Sequence, residues 1–370
     1  MSSGAGRGHQ PGMQAASVFD VAVIGAGPAG AATALELARR GREVVLLERT
    51  RFDGPRFGET LPPEINPLLR ALGAWDAFLA TGPLESPGTI SAWGSPVPSE
   101  ADFVANPFGC GWHVDRNAFD AMLCDLAASA GVRVLTGTGV SSCRRDPDGY
   151  WTLRTAADSG PAVRARFVVD ASGRNGVRMN ETDGRIIDDA LVAVFLQFAH
   201  DGEPPADART LVEAAPDGWW YCAPLPTGRT IAAFVVEPDF YVDEGIGLAE
   251  QLERAPLACA RVGRAHLLRS DTVHISSSIR KRAAGAGWAA VGDAAASYDP
   301  LSGYGITKAL QDATALAAAI ERDDISPYAD GVQRAFSAYV RQKRAYYASE
   351  RRWFDQPFWK RRRVEARQTP

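Results

Sequence analysis

The hydrophobic positions divide the chain into stretches of different texture. Val18–Ile24 is a short β-branched run without alternation, the pattern of a strand buried on both faces in a parallel sheet. A turn from Gly25 to Gly30 follows, and small and apolar residues recur at helical spacing over Ala31–Arg40 until Gly41 stops them. Glu43–Leu47 is a second apolar run that ends in Glu48 and Arg49, completing the order of a βαβ unit. Thr50–Pro67 is irregular and rich in Pro and Gly; Pro67–Leu79 reads as a helix, Thr89–Trp93 as a strand and Ser95–Cys110 as a turn-rich insertion. Trp112–Val114 reads as an extended entry into a helix over Arg116–Ala130, with a strand at Val132–Leu135 and a hairpin-like pair at Tyr150–Thr155 and Ala162–Val169.

From about 186 to 278 the runs are separate and β-rich: Leu191–Phe198, Trp219–Ala223, Thr230–Val236 and Thr272–Ile279. They predict an antiparallel sheet inserted into an α/β domain, because Trp288–Gly292 then returns to the buried-strand texture and Gly305–Arg322 to a helical one. The fold class expected is therefore α/β. A Rossmann-like domain takes 18–85, 112–185 and 280–330, an inserted sheet domain takes 86–111 and 186–279, and a helical tail takes 331–370. Residues 1–17, rich in Gly, Ser and Gln, read as a disordered leader. They lack the charged and apolar regions of a secretion signal, and no run reaches the length of a membrane span, so a cytoplasmic setting is expected.

Composition removes several classes of function. Forty basic against forty-four acidic residues give a net charge of −4, with no overall field to hold nucleic acid. Five cysteines and five histidines show no close ligand spacing, so no metal site is expected. Only Lys281, Lys308, Lys343 and Lys360 are lysines, an imbalance that GC-rich coding explains. Whatever its cause, no mechanism can draw on a lysine before position 281.

The chemistry is concentrated in two segments. Gly25, Gly27 and Gly30 form a GxGxxG turn between a strand and a helix, with Glu48 ending the next strand. This pattern binds a dinucleotide: Gly25 permits the tight turn, Gly27 lets the backbone approach a pyrophosphate, and Gly30 allows helix and strand to pack closely. The helix N-terminus offers free N–H groups to the phosphates, and Glu48 accepts from a ribose. Much later, Val291-Gly292-Asp293 ends a buried strand and leads through Pro300-Leu301-Ser302-Gly303-Tyr304-Gly305-Ile306 into a helix, a place for one carboxylate and several backbone N–H groups.

With these segments the chain resembles the flavoprotein monooxygenase superfamily over about 18–325. The resemblance implies FAD as cofactor, with Asp293 on the ribityl chain and the loop containing Pro300, Gly303, Gly305 and Ile306 against the isoalloxazine. It further implies Arg116 as the family arginine at a helix start, Ala29, Arg49 and Val140 in the cofactor site, and Asp170–Arg174 as a variant third motif. Arg56–Pro63 and the C-terminal Arg351–Trp359 resemble the tryptophan-halogenase-like branch, and more closely the flavoprotein hydroxylases that mature protein-derived quinone cofactors. Halogenases carry Trp-x-Trp-x-Ile-Pro, where this chain has Trp219-Trp220-Tyr221-Cys222-Ala223-Pro224; they also use a lysine in a region matching Pro83–Trp93, which has none.

The resemblance thus implies oxygen activation as a flavin C4a-hydroperoxide and hydroxylation of an aromatic ring, indole-like and free or carried on a peptide or carrier. No second dinucleotide fingerprint occurs, which points to reduced flavin from a separate reductase, although single-component hydroxylases of this superfamily also lack a second fold for NADPH. Glu59 and His113 are the candidate proton-handling residues, and Trp219 and Tyr221 the pocket walls. Adjacent strand residues face opposite ways, so at most one of Trp219 and Trp220 lines a given pocket. Glu59 is alternatively a loop-fixing carboxylate and His113 a satisfied strand-end histidine. Rival activities are halogenation, disfavoured by the missing lysine, and a dehydrogenase or reductase of the geranylgeranyl reductase type. A non-catalytic flavin scaffold that docks through its basic, aromatic tail is a rival of another class.

Overall fold

A computed structural model describes residues 18–155, 162–177, 179, 184–203, 205–239 and 247–367. The leader expected at 1–17 lies outside them. Val18–Ile24 pairs in parallel with Val44–Leu47 on one side and Val163–Asp170 on the other, and Arg133–Leu135 and Trp288–Ala290 extend the parallel core. All four residues of Val44–Leu47 are buried, as their unbroken apolar run requires. The helix Pro28–Arg39 covers this sheet, with the helices Arg116–Ser129 and Gly305–Glu321 against it.

The second sheet has seven strands, in the order His266–His274, Val192–Ala199, Thr230–Val236, Gly218–Pro224, Thr210–Ala215, Gly88–Ala92 and Ser99–Asp102. It is antiparallel except where Thr210–Ala215 meets Gly88–Ala92 in parallel. Trp219 and Phe195 belong to the cluster on its inner face, while Trp220 and Phe234 stack on the opposite face, where the helices Leu248–Glu253 and Pro256–Val262 cover them.

Several expected elements are corrected. Thr272–Ile279 is not one strand: the chain leaves the seven-stranded sheet after His274 and enters a small three-stranded sheet at Ser278–Arg280. Between them Ser277 N–H donates to Asp189 Oδ1 at 2.7 Å, so an acidic pair 88 residues away makes the break. The helix over Pro67–Leu79 is two, Ile65–Ala71 and Trp75–Ala80, separated at Gly73, whose φ is +56°. The turn-rich insertion contains the exposed edge strand Ser99–Asp102, and Thr210–Ala215 went unrecognised.

The C-terminal helices are built into both cores. Ser326–Ser349 contributes Tyr328, Val332 and Phe336 to the cluster beside the parallel sheet and Tyr347 to that under the seven-stranded sheet. Phe358 and Trp359, on Pro357–Arg367, are buried against the latter, where Trp359 Nε1–H donates to the Ala215 carbonyl at 2.9 Å. Basic side chains of the tail are drawn in as well: Arg362 is 2% exposed and pairs with Glu237 at 3.0 Å. Among the described residues no helix is long and apolar enough to cross a membrane.

Candidate active site

One continuous cavity of about 660 Å³ runs from the glycine turn, past the end of the parallel sheet, to the inner face of the seven-stranded sheet. That volume is typical of a cofactor or substrate site. It is lined by Gly25, Gly27, Ala29, Glu48, Arg49, Arg116, Val140, Asp293, Pro300, Gly303, Gly305 and Ile306, and also by Glu59, Trp219 and Tyr221. Gly30 does not line it: a Cβ there would lie 1.9 Å from the Gly25 carbonyl oxygen, so its part is close packing.

The glycine-turn end fits a dinucleotide. Gly25 adopts φ +99°, and a Cβ on it would meet the Ala171 carbonyl oxygen at 2.5 Å. A Cβ on Gly27, by contrast, would reach no atom within 4 Å, so the backbone opens there onto free space at a helix N-terminus. That helix has no side-chain cap and no acidic residue in its first turn, which leaves its N–H donors and positive dipole end for an anion. Glu48 is held at the rim: its carboxylate accepts from Ala26 N–H at 2.9 Å and Thr50 N–H at 3.0 Å, and pairs with Arg56 at 3.1 Å. Burial pushes its pKa up, but the Thr50 hydroxyl and these N–H donors outweigh that and leave it below the ordinary value.

At the next turn of the cavity, Arg174 Nε lies 3.3 Å from Asp293 Oδ2 and its Nη2 donates to the Tyr298 carbonyl. The Asp-Ala-Ser-Gly-Arg segment thereby touches the Gly-Asp segment directly. Asp170 is fully buried and accepts from Arg280, Val177 N–H and Ser172 N–H, which fixes the segment's shape. Arg116 donates to the Phe57 carbonyl and, through Nη2, to Asp120 at 3.1 Å, tying the loop 56–59 to its helix. Asp120 also binds Arg56 at 2.7 Å. Arg56 and Asp120 were not assigned roles from sequence; the Arg116–Asp120 spacing of four on a helix was the available signal.

At the sheet end the wall is aromatic. Trp219 Nε1–H donates to Tyr347 Oη at 2.9 Å, and Tyr347 O–H donates to Asp299 Oδ2 at 2.7 Å, so the indole is fixed in the cavity wall by its N–H. Trp220 faces away, its Nε1–H directed to the Gln251 carbonyl at 3.3 Å. Glu59 lines the cavity while 5% exposed. Burial pushes its carboxyl up to about 7, with Arg116 and the Gly58 N–H at 3.0 Å opposing the shift. It is thus both tied to its loop and able to carry a proton near neutrality.

His113, a candidate for handling a proton, is set back from the cavity. The imidazole is fully buried, does not line the cavity, and has both nitrogens engaged, by Thr60 Oγ1 at 3.0 Å and the Ala208 carbonyl at 2.7 Å. Burial pushes its pKa down to about 4. The described residues hold no group of three or more His, Cys, Asp or Glu that could bind a metal ion.

A dinucleotide cradle, an Asp-bearing turn beside it and an aromatic chamber beyond are the parts that a flavoenzyme requires. The tryptophan halogenase family matches residues 89–370, and the FAD-dependent oxidoreductase family matches 20–58. The chain belongs to the tryptophan halogenase family and is an FAD-dependent oxidoreductase. It is 28% identical to LodB of Marinomonas mediterranea, a protein assigned to the FAD-dependent oxidoreductases, over 93% of this chain and 96% of that one. The myxobacterial chondrochloren halogenase CndH superimposes with a TM-score of 0.79 at 27% identity, over 93% of this chain and 86% of that one. The fold is shared with the peptidyl tryptophan dihydroxylase QhpG at a TM-score of 0.72 and 24% identity, over 94% and 79% of the two chains. The chain spans 62% of the tryptophan 2-halogenase of Chondromyces crocatus, to which it is 29% identical over 84% of its own length.

Proposed function

We propose that the enzyme inserts oxygen into an electron-rich aromatic ring, indole-like and either free or carried on a peptide, as QhpG acts on a peptidyl tryptophan. The observation that carries this reading is the chemistry of the chamber wall. It presents one carboxyl able to hold a proton near pH 7, Glu59, and no lysine among the described residues that line it. Bound FAD, reduced and reacted with O2, supplies the electrophilic oxygen. The chain's own residues divide the remaining work. Gly27 and the helix behind it would hold the pyrophosphate, Glu48 the ribose, and Asp293, oriented by Arg174, the ribityl chain. Trp219 and Tyr221 would flank the substrate ring. Glu59 in its acid form would supply a proton from the chamber wall.

Halogenation is the second reading, favoured by family membership. It calls for an ammonium in the chamber to hold the oxidised halide. Of the buried lysines, Lys308 is bonded to Asp312 and the Gly292 carbonyl, and Lys343 to Asp188 and Asp189; neither lines the cavity. Electrons arrive in this reading from a separate flavin reductase. The experiment is turnover of reduced FAD with an indole-bearing peptide in chloride buffer, where a gain of about 16 mass units supports insertion of oxygen and a gain of about 34 supports chlorination.

A further inference from the structure

The hydroxyl of Tyr221 ends a buried chain of hydrogen bonds whose direction is determinate. His113 Nε2 lies 2.7 Å from the Ala208 carbonyl oxygen, and a carbonyl only accepts, so Nε2 carries the ring proton. With its pKa pushed down to about 4 by burial, the ring has no second proton at neutral pH, and Nδ1 is an acceptor. Thr60 Oγ1, 3.0 Å from Nδ1, must therefore direct its single proton there. Tyr221 Oη lies 2.6 Å from the same Thr60 oxygen, which has no proton left to give, so the phenol is the donor of that bond. The Tyr221 proton thus points into the protein, and only oxygen lone pairs remain for the cavity that Tyr221 and Thr60 both line. The indole N–H of neighbouring Trp219 does not compete for them, since it is bonded to Tyr347.

We infer that Tyr221 is the acceptor for a ring N–H of the substrate, with Thr60 and His113 as positioning residues that keep the phenol in its accepting orientation. The inference rests on the aromatic-ring reading above and narrows it to heteroaromatic rings that carry an N–H, of the indole or pyrrole kind. A ring whose nitrogen is methylated loses this bond and leaves a buried oxygen unpaired, which discriminates more strongly than a difference of one methyl group against an apolar wall.

The test uses the FAD-loaded enzyme, with indole-3-acetamide and 1-methylindole-3-acetamide as probes and the change in flavin absorbance as the measure of Kd. The wild type should bind the N–H probe about tenfold more tightly. Tyr221→Phe should bring the two within twofold by weakening the N–H probe. Thr60→Val, which releases the phenol proton toward the cavity, should shrink the difference while Tyr221 is still present; Thr60→Ser, which keeps the hydroxyl, should restore it. Equal wild-type affinities, no affinity for either probe, or a preference that survives Tyr221→Phe overturns the inference. Product mass under 18O2 is read separately: discrimination with no oxygen inserted counts against the proposed function alone, and oxygen inserted without discrimination counts against this inference alone.

Discussion

Glu59 and Asp293 are the two positions at which the proposed function depends most directly on one side chain. A carboxyl pushed up to about 7 is neutral below that pH and ionised above it, so a step that needs its proton slows as pH rises through 7. The single-turnover rate of oxygen insertion should fall above that point, and Glu59→Gln should remove this limb and slow the step about 100-fold. A variant that keeps the limb assigns it to another group. Asp293 is partly exposed to the cavity and held by Arg174. Asp293→Ala should lower the FAD-to-protein ratio after gel filtration with the fold retained by circular dichroism; unchanged flavin content contradicts its placement on the cofactor. At this scale the sequence was most legible where backbone geometry demands a residue type, as at Gly25, Gly27 and Gly30. It was least legible at Asp299 and Tyr347, which meet across 48 positions in a contact with no local spacing.

The C-terminal helices carry the corresponding argument for elements. Lys343, on the helix Ser326–Ser349, is buried and bonded to Asp188 and Asp189 just before the strand Val192–Ala199. Burial works against its charge, yet Asp189 and Asp188 overcome this and hold its pKa above the ordinary lysine value. Lys343→Met removes the ammonium that both carboxylates share, leaving Asp188 with Arg344 at 2.8 Å and Asp189 with Arg362 no nearer than 3.8 Å, and should cost about 3 kcal/mol, read as a lower urea midpoint. A midpoint within error of the wild type would show the pair to be dispensable. Truncation after Ser349 removes Phe358 and Trp359, both essentially inaccessible, each about 3–5 kcal/mol when a large aromatic is lost from a core. The truncated chain should aggregate; a monodisperse, FAD-loaded product would reassign these helices to docking. Their basic, aromatic composition suggested either role. Burial, which depends on where distant strands lie, is what separates the two, and periodicity alone does not carry it.

Across the whole molecule, the parallel sheet presents the cofactor turn at its strand ends and the seven-stranded sheet brings its aromatic face to the same cavity. The parallel core was legible because fully buried strands leave unbroken apolar runs. The second sheet was legible in part: Thr210–Ala215 carries Glu213 among small residues, and its parallel partner Gly88–Ala92 lies over a hundred positions earlier. Convergence of Glu59, Trp219 and Tyr221 on one chamber follows from the fold and from no spacing in the chain. That chamber, with a carboxyl pushed up to about 7 and no lining lysine among the described residues, is where oxygen insertion and halide oxidation part company. A single turnover of the reduced FAD enzyme with 18O2 and a tryptophan-containing peptide in chloride buffer, read by mass spectrometry, separates them. The proposed oxygen insertion gives a product about 18 mass units heavier with the label on the indole. A chlorinated indole with no label would contradict it.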